Sequence, residues 1–328
     1  MKKNLLVYFI IIAVLISVWF ILERTKLFQD EQVNDSEKIK VATTIYPLSD
    51  IVEKIGGDRV RVVQILPSGA SVHSYEPQVS DVRKISDSEA VFYIGHGLDN
   101  WILALAESAG VEEMIKADKY VQLLENTDDH GHEDEDNHEG EDEHDDEDEV
   151  EHEEENYGDD PHYWLSLVNG EKIARHVAEK LALIDASNGD YYMNNLDKYV
   201  DDMRISKLYL DSLLEGVENR KILVYHNSWQ YLARDFDLEV VGALKTSDAH
   251  DQGPRHLEEL YEIVENENIN TVYGEVQFSV DQIKPLADDL GLEIKILDPL
   301  GATEEVDSYI KLIEYNVIKI YEGQGSRN

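Results

Sequence analysis

From residue 40 onward, short β-branched runs alternate with stretches whose apolar residues recur at helical spacing. Strands separated by helices pair in parallel, so this alternation confines the chain to α/β architecture. The β-rich runs fall at 41–46, 60–66, 90–94 and 121–124 in the first half. In the second half they fall at 222–225, 238–241, 271–274 and 293–297. Between them lie helical patterns such as Val79, Val82 and Ile85, then Leu257, Leu260, Tyr261 and Val264. The middle, 167–214, has no strand character. Asp185-Ala186-Ser187-Asn188-Gly189 interrupts it, which predicts one helix over 169–184 and a second over 190–214, the latter roughly 37 Å long. Two α/β lobes with a long helix between them leave a cleft. The expected divisions are 1–24 and 25–38 at the amino terminus, a first lobe over 39–168, a helical region over 169–216 and a second lobe over 217–324.

The amino-terminal run 5–22 carries no charge and is long enough to span a hydrocarbon core as a helix. Lys2 and Lys3 precede it, which places the amino terminus in the cytoplasm. No small-residue cleavage site follows, so the expectation is an uncleaved signal anchor over 1–24 and a linker over 25–38. Everything beyond then lies outside the cytoplasmic membrane, on a single-pass tether. The chain has no cysteine. Thiolate metal sites, disulfides and the usual acceptor for a lipid anchor are excluded. Any transition-metal site must use His, Asp, Glu and water.

The formal net charge of -41 argues against nucleic acid as a partner and suits attraction of cations. Much of it sits in 125–160, an acidic insert in the first lobe that also holds His130, His132, His138, His144 and His152. Such a segment cannot bury enough apolar surface to offset its ordering entropy and is expected to be disordered. Interleaved imidazoles and carboxylates make weak, flexible metal ligands, so these five histidines are expected to capture metal loosely. Of the other histidines, His73, His162 and His226 stand where ligands gather, just past strands or in tight polar turns. Asp298, ending the last β-rich run, is a candidate oxygen donor, with Glu275 in reserve. His96, His250 and His256 read as loop residues.

Taken together, several motifs resemble those of the zinc and manganese binding proteins of ABC transporters. They are Ile45-Tyr46-Pro47, Gly69-x-x-x-His73-x-Tyr75-Glu76-Pro77, Gly95-x-Gly97-Leu98-Asp99-x-Trp101, Asp160-Pro161-His162-x-Trp164-Leu165, Tyr225-His226 and Leu297-Asp298-Pro299-Leu300-Gly301. The resemblance covers 40–321. It implies two lobes joined by a rigid helix, one ion between them, and His73, His162 and His226 as ligands with a fourth position near Asp298. It also implies a monomeric partner of an ABC permease and its ATPase. Three imidazoles and one oxygen suit four-coordinate zinc, whereas manganese or iron favours more carboxylates. The transported ligand is therefore expected to be Zn2+. No H-E-x-x-H helix, G-x-S-x-G elbow or phosphate-cradling loop is present, so an enzyme is not expected. An adhesion role would need a separate binding module, and the chain offers none.

Overall fold

Among the residues that this computed structural model describes (38–126, 158–245 and 254–325), eight strands form two four-stranded sheets of the same order. The first sheet holds β1 (Ile39–Thr43), β2 (Val60–Gln64), β3 (Ala90–Tyr93) and β4 (Met114–Lys116) in the order β2-β1-β3-β4. All its pairings are parallel. Parallel neighbours require crossovers, and helices supply them: α1 (Tyr46–Gly56), α2 (Val79–Ile85) and α3 (Trp101–Ala109). Pro47 stands in the first turn of α1, where its missing N–H costs nothing, and Ile51, Val52 and Ile55 turn the helix inward.

The strand-free middle forms α4 (Leu167–Ile184) and α5 (Gly189–Leu214). Ser166 caps α4 by accepting a 3.0 Å hydrogen bond from the Asn169 N–H. α5 has 26 residues and buries Tyr192, Leu196, Tyr199, Met203, Leu210 and Leu214, one stripe of helical period. The second sheet holds β5 (Lys221–His226), β6 (Glu239–Lys245), β7 (Thr271–Glu275) and β8 (Glu293–Leu297) in the order β6-β5-β7-β8, again all parallel. Its helices are α6 (Gln230–Asp235), α7 (Pro254–Asn266) and α8 (Lys284–Leu290), and α9 (Tyr309–Gln324) closes the fold.

One apolar cluster runs through both lobes. It joins Val41 and Phe92 of the first sheet to Ile173 of α4, Met203 of α5, then Val224, Tyr273 and Leu297 of the second sheet and Ile320 of α9. Each sheet also covers its other face with a smaller cluster of its own. The inner strands are accordingly mostly apolar and buried, as strands covered on both faces are.

The structure corrects one expected strand. Residues 121–124 join neither sheet, and the fourth strand is Met114–Lys116. Directly after them, Glu125 bridges Asp159 antiparallel, so the two ends of the acidic insert meet. The insert's five histidines and the apolar run 5–22 lie outside the described residues. No helix among the described residues is long and apolar enough to cross a membrane.

In each sheet the strand order reverses beside a central strand, between β1 and β3 and between β5 and β7. Crevices at the carboxyl ends of strands open at such points, and the candidate residues collect there.

Candidate metal centre

Three loops deliver one imidazole each. Beyond β2 the chain turns through Pro67–Ala70, with Ala70 N–H donating to Pro67 C=O, and enters a short 3-10 turn that carries His73. Buried Val72 fastens that turn to the core. His162 follows Asp160-Pro161. Next to it Tyr163 and Trp164 are fully buried, with the Tyr163 hydroxyl donating to Ile94 C=O at 2.9 Å and Trp164 Nε1 donating to Pro299 C=O at 2.9 Å. His226 is the last residue of β5.

The structure brings these three side chains together. One donor atom from each lies within 4.8 Å of the other two. Ring centroids are 5.3 Å apart for His73 and His162, 5.0 Å for His73 and His226, and 5.1 Å for His162 and His226, a nearly equilateral triangle. The Nε2 atoms of His73 and His162 are 3.2 Å apart. Two nitrogens each ~2.0–2.1 Å from one zinc, at tetrahedral angles, stand roughly 3.3 Å apart, so the spacing fits such an ion.

Two of the rings are backed by carboxylates. Asp160 Oδ1 accepts from the His162 backbone N–H at 2.9 Å and meets its Nδ1 at 2.7 Å. A proton held on Nδ1 leaves the Nε2 lone pair facing the cluster. His226 Nδ1 lies 3.5 Å from Glu275 Oε1, and that oxygen also accepts from Ser228 Oγ at 2.8 Å and Trp229 Nε1 at 2.9 Å. Burial pushes the Glu275 carboxyl up, but His226, the Ser228 hydroxyl and His162 outweigh it and hold it below the ordinary carboxylate range.

His73 presents surface to solvent at the cleft mouth while the other two are 6% and 5% exposed. Its ring is nevertheless crowded by protein atoms. Desolvation, then the neighbouring His162 and His226 and the Lys245 ammonium, lower its pKa to about 2. A group with that pKa is a neutral imidazole at any physiological pH and offers its lone pair without first losing a proton. The apolar walls of the cleft come from Val72, Trp164, Phe278 and Leu300.

Asp298, the expected oxygen donor, does not join the three. It is fully buried, and its two oxygens accept from the N–H groups of Leu300, Gly301 and Thr303 and from the Thr303 hydroxyl at 2.8–3.1 Å. Its work is to shape the loop after β8. Glu275 lines the cleft but approaches the group from behind His226. His96 occupies a turn in which Gly95, His96 and Gly97 have φ of 83°, 53° and 79°, a left-handed run that only flanking glycines accommodate easily. Its ring sits between Asp118 and Asp159. His256 Nε2 lies 3.0 Å from Ala243 C=O, away from the cluster, and His250 falls outside the described residues. Sequence reading missed Asp160, although a carboxylate two residues before a candidate ligand is the pattern that orients an imidazole. It also missed Ser228, Phe278 and Lys245, which no local signal marks.

Comparison with known proteins follows the same lines. Residues 41–323 match the family described as ZnuA, zinc-uptake complex component A, periplasmic. A putative metal-binding protein of Treponema pallidum (strain Nichols) is 25% identical over 318 residues, covering 95% of both chains. The manganese ABC transporter substrate-binding lipoprotein PsaA of Streptococcus pneumoniae is 27% identical over 300 residues, covering 88% of this chain and 90% of that one. The crystal structure of a ZnuA deletion mutant with zinc bound superposes with a TM-score of 0.73 at 25% identity, over 89% of this chain and 100% of that one.

Proposed function

We propose, from the premise that the chain belongs to the ZnuA family of zinc-uptake complex components, that its cargo is zinc and that His73, His162 and His226 hold it. As a member of that family it is the extracytoplasmic metal-binding component of an ABC importer, which passes its ion to a membrane permease powered by an ATPase. Relatives include both zinc-uptake and manganese-binding proteins, so the choice of metal has to be argued from this chain's own donors.

The observation that carries the reading is the meeting of three imidazole donors within 4.8 Å of one another. Three nitrogens with carboxylates held behind two of them favour a borderline ion of tetrahedral habit over manganese, which prefers oxygen and higher coordination. A water from the cleft takes the fourth place, Glu275 stays behind His226, and Asp298 stays in its loop. The chain works as a monomer with one tight ion. The insert histidines His130, His132, His138, His144 and His152 gather metal loosely, and the run 5–22 tethers the chain by a single membrane pass.

Calorimetric titration of the whole chain with zinc and with manganese tests this. One tight zinc event, at least a hundredfold stronger than manganese and lost in His226→Ala, is expected. Equal affinities for the two metals would remove the zinc assignment. A tight event surviving His226→Ala would move the site elsewhere.

A further inference from the structure

We propose that Lys245 is a fixed opposing charge at the rim of the three-histidine cleft, one that loosens the bound ion and hastens its release. The inference rests on the metal-binding reading above and assigns a residue that this reading does not use.

Lys245 ends β6 and stands in register with His226, the residue that ends β5. The two neighbours therefore leave their sheet at the same level, at the edge where the cleft opens. Lys245 is half-buried, and among the described residues its ammonium meets a ring rather than a carboxylate. Nζ lies 4.9 Å from the centroid of Phe278. Phe278 forms part of the cleft wall, with its ring centroid 6.1 Å from that of His226. The lysine stem thus folds along the wall of the site and holds its charge beside it. A divalent ion held by His226 and its neighbours lies beside the same wall and is repelled by the ammonium in proportion to its double charge.

Counting charges gives the consequence. The carboxylates of Asp160 and Glu275, set behind His162 and His226, match the two charges of the ion. Among the described residues, Lys245 then leaves the occupied site with a positive surplus. In a chain of net charge -41, a cation beside a cation site works against capture. An importer component must also let go, however, and three imidazoles on one zinc dissociate slowly. A nearby positive charge raises the free energy of the bound state, and in related complexes such changes are felt mainly in the off-rate.

Packing over Phe278 is the competing role for the same side chain. Two substitutions separate them. Lys245→Met keeps an unbranched stem on the ring and removes the charge, while Lys245→Arg keeps the charge. Zinc affinity and dissociation rate are measured in the whole chain by chelator competition and stopped flow, with His226→Ala alongside. We expect Lys245→Met to bind zinc about tenfold tighter and release it correspondingly slower, as fits one charge within roughly 10 Å of a divalent ion near a protein surface. Lys245→Arg should match the native chain. The gap between Lys245→Met and native should narrow as salt rises from about 0.05 to about 0.5 M, because screening shortens the reach of the charge. Unchanged or weaker binding in Lys245→Met, or an equal shift in Lys245→Arg, would overturn the proposal and leave Lys245 a packing residue. If tight binding persists in His226→Ala, the metal-site reading itself fails and the proposal goes with it.

Discussion

A histidine ligates a metal only through a nitrogen without a proton, so the group behind the ring decides which nitrogen is free. Asp160 does this for His162 while also accepting from its backbone N–H, which fixes ring and chain with one carboxylate oxygen. Replacing Asp160 with Asn keeps an acceptor but removes the charge that raises the basicity of the imidazole. Zinc affinity measured by chelator competition should fall about tenfold, the lower end of what such partners are worth, and Asp160→Ala should lose more. Unchanged affinity in both would mean that His162 is oriented by its neighbours' packing alone. At this scale the three histidines were legible, because each follows a strand or a tight turn within a motif. Asp298 was less legible, since an aspartate at a strand end followed by Pro-Leu-Gly looks the same in sequence whether it faces a metal or caps its own loop. Its two oxygens accept from three backbone N–H groups and a hydroxyl, donors that only the folded chain brings to it.

Strands and helices were legible wherever periodicity had room to show. Helices over 169–184 and 190–214 were expected, and α4 and α5 match them within two residues. β4 was missed because three residues, Met114-Ile115-Lys116, are too few to display alternation, while Val121-Gln122-Leu123-Leu124 has strand composition without a strand partner. Those four residues pack Val121, Leu123 and Leu124 against the main core and lead into the pinned neck of the insert. There Asn126 N–H donates to Gly158 C=O at 2.6 Å and Asp160 N–H to Leu124 C=O at 2.8 Å. A loop whose ends are already joined costs little to shorten, since closure entropy changes only with the logarithm of its length. Deleting 127–157 and rejoining the neck with a two-residue turn should therefore leave the melting temperature within a few degrees and retain the tight zinc event. Weaker zinc events seen by calorimetry in the whole chain should vanish. Their survival in the deletion variant would take metal capture away from the insert histidines.

At the scale of the whole molecule, the two lobes share one core as well as a connecting helix, and this bears on how they can move. The main apolar cluster passes from the first sheet through α4 and α5 into the second without a break. Polar ties cross the same region. Buried Asp50 of α1 accepts from the Tyr309 N–H at the start of α9 and from the Tyr199 hydroxyl of α5, and the Tyr309 hydroxyl reaches Trp164 C=O and Ser166 C=O. Gly170 of α4 is bare where the Tyr309 ring presses in, since a Cβ there would lie 2.5 Å from it. Because these contacts join the His162 loop to the start of α9, opening the lobes as a hinge would tear a packed core and expose paired polar groups together. Packed cores resist such deformation. Metal binding should then rearrange side chains and loop tips while the lobes keep their spacing. The absence of cysteine makes a clean test possible, with spin labels on cysteines introduced at exposed Glu107 of α3 and exposed Asp289 of α8. Double electron–electron resonance with and without zinc should give mean distances that differ by less than about 2 Å, the range of pre-organised binding sites. A shift of several ångströms would show that the shared core yields, and that the lobes close on their ion by a hinge.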